Sequence, residues 1–241
     1  MIALIALLLA ADDTPTRCAS MTRSDPAEGE RAAERWSVAG GGSKAKQCLG
    51  LALTAQSRYA EAATAFEAAA HLAEIEKDAL ASTYWAEAGN ARLAAGDPAK
   101  GRAALDAALA AGTLKGLQLG EAHLDRARAL VAAGDMKGAR ADLDAAMHDA
   151  ADDPLAWLLS ATLARRTNDL PRARSDIAEA LKRSPDDAQV QLEAGNIAAL
   201  SGDAAGAKAA WNAAQRIAPT APAGIAAGQA LAQFDTPTGA K

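Results

Sequence analysis

Aromatic residues are scarce: two Phe, two Tyr and four Trp make up 3% of the 241 residues. Hydrophobic residues make up 50%, and alanine carries much of that share. A β-rich domain would draw on Val, Ile, Tyr and Thr, so this composition argues against one. Alanine has the best helix propensity and suits helices packed through small residues. Basic runs are also missing. The net charge is −5, and no Lys/Arg stripe with interleaved aromatics occurs. A nucleic-acid partner, which needs a basic footprint, is therefore not expected. The histidines are few: His71, His123 and His148 show no HExxH spacing, and periodicity places no Cys or carboxylate beside them. His123 reads as a packing residue. Gly40-Gly41-Gly42 lacks the Lys-Ser/Thr of a phosphate loop and reads as a helix stop. No catalytic set, metal site, cofactor or small-molecule substrate is expected, so the chain reads as a non-enzyme. The one apolar run, residues 2–11, is far too short to span a bilayer as a helix.

What the chain has is repetition. The segments AGDMKGARADLDAA from Ala133, TNDLPRARSDIAEA from Thr167 and SGDAAGAKAAWNAA from Ser201 share one register. Gly134, Asn168 and Gly202 stand 34 residues apart, as do Asp135, Asp169 and Asp203. Leu143, Ile177 and Trp211 follow in step, then Ala146, Ala180 and Ala214. A fixed period of this length means one supersecondary unit stacked on copies of itself. Each unit reads as helix A, tight turn, helix B. At Gly96-Asp97-Pro98, Gly134-Asp135, Asn168-Asp169 and Gly202-Asp203, Gly or Asn accepts the left-handed conformation that ends helix A. The Asp then caps helix B. These aspartates, and the pairs Asp152-Asp153 and Asp186-Asp187 at unit junctions, read as caps rather than catalysts. Asp142 and Asp144, two apart on one helix, point to different sides.

This period, with small residues at three fixed places, resembles the tetratricopeptide repeat (TPR) family. With each unit numbered 1 to 34, position 8 is Gly50, Gly89, Ala127, Ala161 and Gly195. Position 20 is Ala62, Gly101, Ala139, Ala173 and Ala207; position 24 is Phe66, Leu105, Leu143, Ile177 and Trp211. Position 27 is always Ala, and Pro185 and Pro219 fit position 32. Trp85 and Trp157 match the Trp of position 4; Lys46, His123 and Gln191 depart from it. Arg126 and Ser160 depart from the Leu of position 7, and Arg92 is polar at position 11. The resemblance implies an all-α, right-handed α-solenoid of five repeats, 43–76, 82–115, 120–153, 154–187 and 188–221, within 43–221. It also implies a concave groove lined by the A helices. Mapped onto this chain, that groove takes in Asn90, Leu124, Arg128, Leu158, Thr162, Arg165, Arg166, Leu192 and Asn196. Arginine forks suit carboxylates of a peptide; pairing of these arginines with Glu121 and Asp125 is the other reading. The family's chaperone-tail clamp is not reproduced.

The flanks complete the reading. Residues 1–11 read as a signal peptide cleaved after Ala10 or Ala11, placing the mature chain in the periplasm or beyond. A mis-assigned start or a buried terminal helix, and hence a cytoplasmic chain, is the alternative. Residues 12–42 form an N-terminal arm, irregular over 12–23, then a capping helix with Ala32, Ala33, Trp36 and Ala39 on its apolar side. Residues 222–234 form a C-terminal capping helix with Ile225, Leu231 and Phe234 apolar, and 235–241 a disordered tail. An even cysteine count in an exported chain suggests that Cys18 and Cys48 are bonded; two unrelated thiols, with Cys48 in a helix interface, remain the other reading. Function then reads as a scaffold binding a protein or peptide segment in the groove. The alternatives are an assembly subunit of an envelope complex that uses convex or end surfaces, or an accessory subunit of an enzyme.

Overall fold

The computed structural model describes residues 15–235; the expected signal segment 1–11 and residues 236–241 of the expected tail 235–241 lie outside them, while Asp235 ends the last helix. Two compact units divide the chain, Met1–Asp135 and Met136–Lys241. All regular elements among the described residues are α-helices.

The first unit holds α1 (Pro15–Ser24), α2 (Pro26–Val38), α3 (Gly42–Ala55), α4 (Tyr59–Glu76), α5 (Ala81–Ala94), α6 (Pro98–Ala110) and α7 (Gly116–Ala132). Each packs on its neighbours in chain order, and α1 also reaches α3 as α5 reaches α7. The core is built from small residues around a few large ones: Ala62, Ala63 and Ala88 surround Phe66, while Leu105 and Ala108 meet Leu114 and Ala122. The close approach has a clear cause. A Cβ on Gly50 would stand 2.5 Å from the Phe66 ring, and one on Gly89 would stand 2.5 Å from Leu105. Position 8 is small because position 24 is large.

The second unit holds α8 (Met136–Asp149), α9 (Pro154–Arg166), α10 (Leu170–Arg183), α11 (Ala188–Leu200), α12 (Ala204–Ile217) and α13 (Pro222–Asp235). Leu158, Ile177, Val190 and Ile197 form one cluster with buried alanines; Trp211, Ala214 and Ala227 form the next. On α13 Ala223 and Ala227 are buried, whereas Ile225 and Phe234 are 49% and 40% exposed.

Capping follows the expected chemistry. Asp97, Asp169 and Asp203 accept from the backbone N–H of Lys100, Arg172 and Gly206 at 3.1, 3.2 and 2.8 Å. Asp153 and Asp187 cap α9 and α11. Asn168 carries the left-handed φ of 62° that glycine supplies at Gly96, Gly134 and Gly202.

One segment corrects the sequence reading. Residues 15–24, expected to be irregular, form α1, which makes a helix hairpin with α2. Asp25 caps α2 through the Glu28 N–H at 3.0 Å, as Asp97 caps α6. Gly29 sits four residues after its Asp, as Gly101 does, and an added Cβ there would meet the Thr22 backbone at 3.2 Å. The arm thus carries a sixth hairpin rather than a lone helix, closed by a disulfide between Cys18 and Cys48 with Cα atoms 5.8 Å apart.

Departures from the repeat pattern bring their own partners. Arg92 at position 11 makes two bonds to Glu67, at 2.8 and 2.7 Å. Gln191 at position 4 donates to the carbonyl six residues back, Pro185, at 2.7 Å; Trp157 donates to that of Ala151 at 2.8 Å. Gln191 thus reaches the carbonyl six residues back as the matching Trp157 does, and half-buried Arg92 gains an ion pair.

Candidate functional site

The A helices of each unit carry a row of polar links at one repeat position that the sequence reading passed over. Position 6 is Cys48, Glu87, Asp125 and Glu193 in repeats one, two, three and five. Each is joined to the preceding A helix. Cys48 on α3 is bonded to Cys18 on α1. Glu87 on α5 accepts from Gln47 Nε2 on α3 at 2.9 Å. Asp125 on α7 accepts from Asn90 Nδ2 on α5 at 2.7 Å. Glu193 on α11 accepts from Arg165 Nε on α9 at 2.6 Å. The recurrence of acid at one register position was the available signal.

Two expected groove arginines are thereby engaged. Arg165 is held by Glu193, whose side chain is 8% exposed. Asn196 extends this network: its amide donates to Glu193 at 3.3 Å, and its carbonyl oxygen accepts from Trp211 Nε1 at 3.1 Å. Arg128 pairs with Asp125 at 2.9 Å, one of the two acids expected to neutralise it. Thr162 bonds back to the Leu158 carbonyl at 2.9 Å. Arg166 is exposed and makes no ion pair among the described residues. Leu124 and Leu158 are 4% and 6% exposed; their surface is spent on the core, and Leu192 is partly buried against the Trp211 cluster. The second unit thus brings Arg165 and Asn196 together at Glu193, while Thr162 bonds within α9, Leu192 packs on the Trp211 cluster and Arg166 stands beside Arg165 in sequence. In the first unit Asn90 and Arg128 meet at Asp125.

Glu87 differs from Glu193 because its partner is a neutral amide. Burial pushes the Glu87 carboxyl up to about 7, and the bond from Gln47 works in the opposite direction. Between the ordinary value of 4.5 and about 7, the folded chain holds a proton that the unfolded chain releases. Stability therefore falls as pH rises through that window. Glu87→Gln is expected to flatten this dependence and to raise stability above it. Urea denaturation at about pH 5 and about pH 8 checks this, and equal slopes for both chains would refute it.

Chemistry elsewhere is sparse. His71 does have a carboxylate beside it, contrary to expectation: its Nδ1 lies 3.3 Å from Glu74 at i,i+3 spacing, and its ring meets Trp85 edge-on at 4.8 Å. Asp142 is buried and Asp144 exposed, on different sides of α8. Among the described residues no group of three His, Cys, Asp or Glu could hold a metal ion, and no helix is long and apolar enough to cross a membrane.

Helical hairpins stacked in series and linked through their A helices define an interaction scaffold of the α-solenoid class. The chain belongs to the tetratricopeptide repeat family, whose model matches residues 86–154 and 158–222. That family is generally a non-enzymatic, protein-binding fold. No curated protein matches by sequence. Among solved structures, PilF of Pseudomonas aeruginosa is similar at a TM-score of 0.74 and 11% identity, over 91% of this chain and 95% of that one. PilW, a type IV pilus biogenesis factor, gives a TM-score of 0.72 and 18% identity over 88% and 94%. YrrB, a TPR protein with an unusual peptide-binding site, gives a TM-score of 0.57 and 20% identity over 77% and 91%.

Proposed function

We propose that the chain is an exported, non-enzymatic scaffold that holds an acidic peptide or protein segment against its A helices. The observation that carries this reading is the state of charge around α9. Arg165 is neutralised by Glu193, while the adjacent Arg166 is exposed and has no ion pair among the described residues. A guanidinium left open beside a fixed polar network suits a partner carboxylate. Export to the periplasm accords with the Cys18–Cys48 bond, since disulfides persist in oxidising compartments.

The test is crosslinking in living cells followed by enrichment of the tagged chain with its own N-terminus. Arg166→Glu is the clean variant, because Arg165→Glu would leave buried Glu193 facing a second negative charge. One dominant envelope protein should be captured by the parent chain and lost, by about tenfold or more, with Arg166→Glu. Undiminished capture by Arg166→Glu would overturn the reading, and a set of purely cytoplasmic partners would overturn export. A second reading, an assembly subunit acting through its end surface, rests on the exposed Ile225 and Phe234 of α13. It requires capture that survives Arg166→Glu and is lost with Ile225→Asp.

A further inference from the structure

The second unit also carries two successive grooves on its B helices. The first, ≈ 300 Å³, lies between α8 and α10 over α9. Arg140 lines it, donating to Ser160 Oγ at 2.6 Å and to the Ser160 carbonyl at 2.9 Å. Ser160 donates in turn to Asp176, and both residues are buried. In repeat terms, an arginine at position 21 meets a hydroxyl at position 7 of the next unit, which in turn bonds a carboxylate at position 23 that Arg172 also holds at 3.3 Å.

The second groove, ≈ 540 Å³, lies between α10 and α12 over α11. The same three positions are Arg174, Ala194 and Ala210, and all three line it. The arginine is kept, while the hydroxyl and the carboxylate are gone. Arg174 is exposed and has no hydrogen bond or ion pair among the described residues. Leu181, Ala194 and Ala198 give the groove its half-buried apolar lining over the buried Ile177 and Ile197, and the buried Ser201 Oγ on its wall has no hydrogen-bond partner.

We propose that the α10–α12 groove docks a partner polypeptide through an Asp or Glu side chain set beside an apolar one. The carboxylate pairs with Arg174, in place of the buried hydroxyl and acid that follow the same register position one repeat earlier. The apolar side chain covers the half-buried Leu181, Ala194 and Ala198, which gains from removing apolar surface from water. The Ser201 hydroxyl is left to bond the segment's backbone, which relieves a buried polar group. The chain itself provides the precedent: an arginine at this register already donates to a buried hydroxyl in the adjacent groove, and that hydroxyl donates to a buried acid. This surface is separate from Arg166, so the proposal does not rest on the A-helix reading.

The experiment uses the full chain as bait for a random peptide library displayed with internal inserts. Selected peptides should share an Asp or Glu beside Leu, Ile, Val or Phe. One of them, synthesised with an amidated C-terminus, should bind the parent chain. Arg174→Ala should weaken it roughly tenfold or more, the effect of losing one charged hydrogen-bond partner. Ala210→Asp, which supplies the carboxylate from within, should block the site as well. Arg166→Glu should leave this binding unchanged, so the two surfaces fail or succeed separately. An empty selection, peptides without an acid, dependence on a free C-terminus, or equal binding to Arg174→Ala would each overturn the proposal. Because Arg174 is exposed, its replacement leaves the core intact.

Discussion

Replacing Cys18 or Cys48 with serine lowers the thermal midpoint in oxidising buffer and adds nothing once the parent chain is reduced. The bond spans a sequence separation of 30 residues. Closing a loop of that length is worth roughly 3–4 kcal/mol in the chain-entropy account. The structural reason for a large local effect is the weakness of what else holds α1. The helix has 10 residues, PTRCASMTRS, and mean hydropathy on the polar side. A helix this short is marginal by itself. Among its described side chains Cys18 is the buried one, and it packs with Ala33 and Cys48 near Trp36 and Leu49. Without the bond, α1 has little apolar surface to keep it on α3. Amide hydrogen exchange should therefore rise first over residues 15–24, with α4 to α7 still protected, since a solenoid unit senses only its neighbours. Melting curves of parent and variant, with and without reductant, decide the matter. Equal losses from the substitution in both buffers would show that the sulfur matters for packing and not for the bond.

The sequence was most legible where period and size act together. Positions 8 and 24 are coupled by contact, so Gly50 with Phe66 and Gly89 with Leu105 were visible as a spaced pair. The α1 hairpin was missed because its first helix is polar, and hydrophobic periodicity has little to register there. The turn was nevertheless written out: Asp25-Pro26 followed by Gly29 mirrors Asp97-Pro98 followed by Gly101. In the candidate site, residue type misled where burial decides. The repeat register places Leu124 and Leu158 in the groove, yet leucines with a core within reach bury there. The acids at position 6 were passed over because the expected groove positions omit that place. What a single sequence does not display is pairing between repeats: Ser160 looks like a defect at position 7 until Asp176 is found beneath it.

Trp211→Ala should be among the most damaging single substitutions in the second unit, costing about 3–5 kcal/mol, the range for truncating a large buried aromatic residue. Trp211 is 4% exposed, meets Phe234 edge-on with ring centroids 5.3 Å apart, and donates its indole N–H to Asn196. The more discriminating experiment concerns its fit to Gly195. A Cβ at Gly195 would collide with the Trp211 indole at Cδ1 and Nε1. Gly195→Ala gains about 1 kcal/mol of helix propensity, yet it should lose about 1–3 kcal/mol through overpacking. The preceding repeat already shows the alternative solution: Ala161 and Ile177 occupy the same two positions and are both buried. Transplanting that pair as Gly195→Ala with Trp211→Ile should therefore cost less than the two single changes added together. Residues in contact commonly couple by 0.5–3 kcal/mol, so an interaction energy of about 1 kcal/mol or more is expected in the double-mutant cycle. Additive losses would mean that Gly195 is required by its backbone rather than by the ring above it. The same cycle reads out the polar network, because Trp211→Ile removes the indole N–H from Asn196 while leaving the Asn196–Glu193 and Arg165–Glu193 bonds in place. If Arg166-dependent capture of a partner survives the double change, the A-helix face and the packing beneath it are separable.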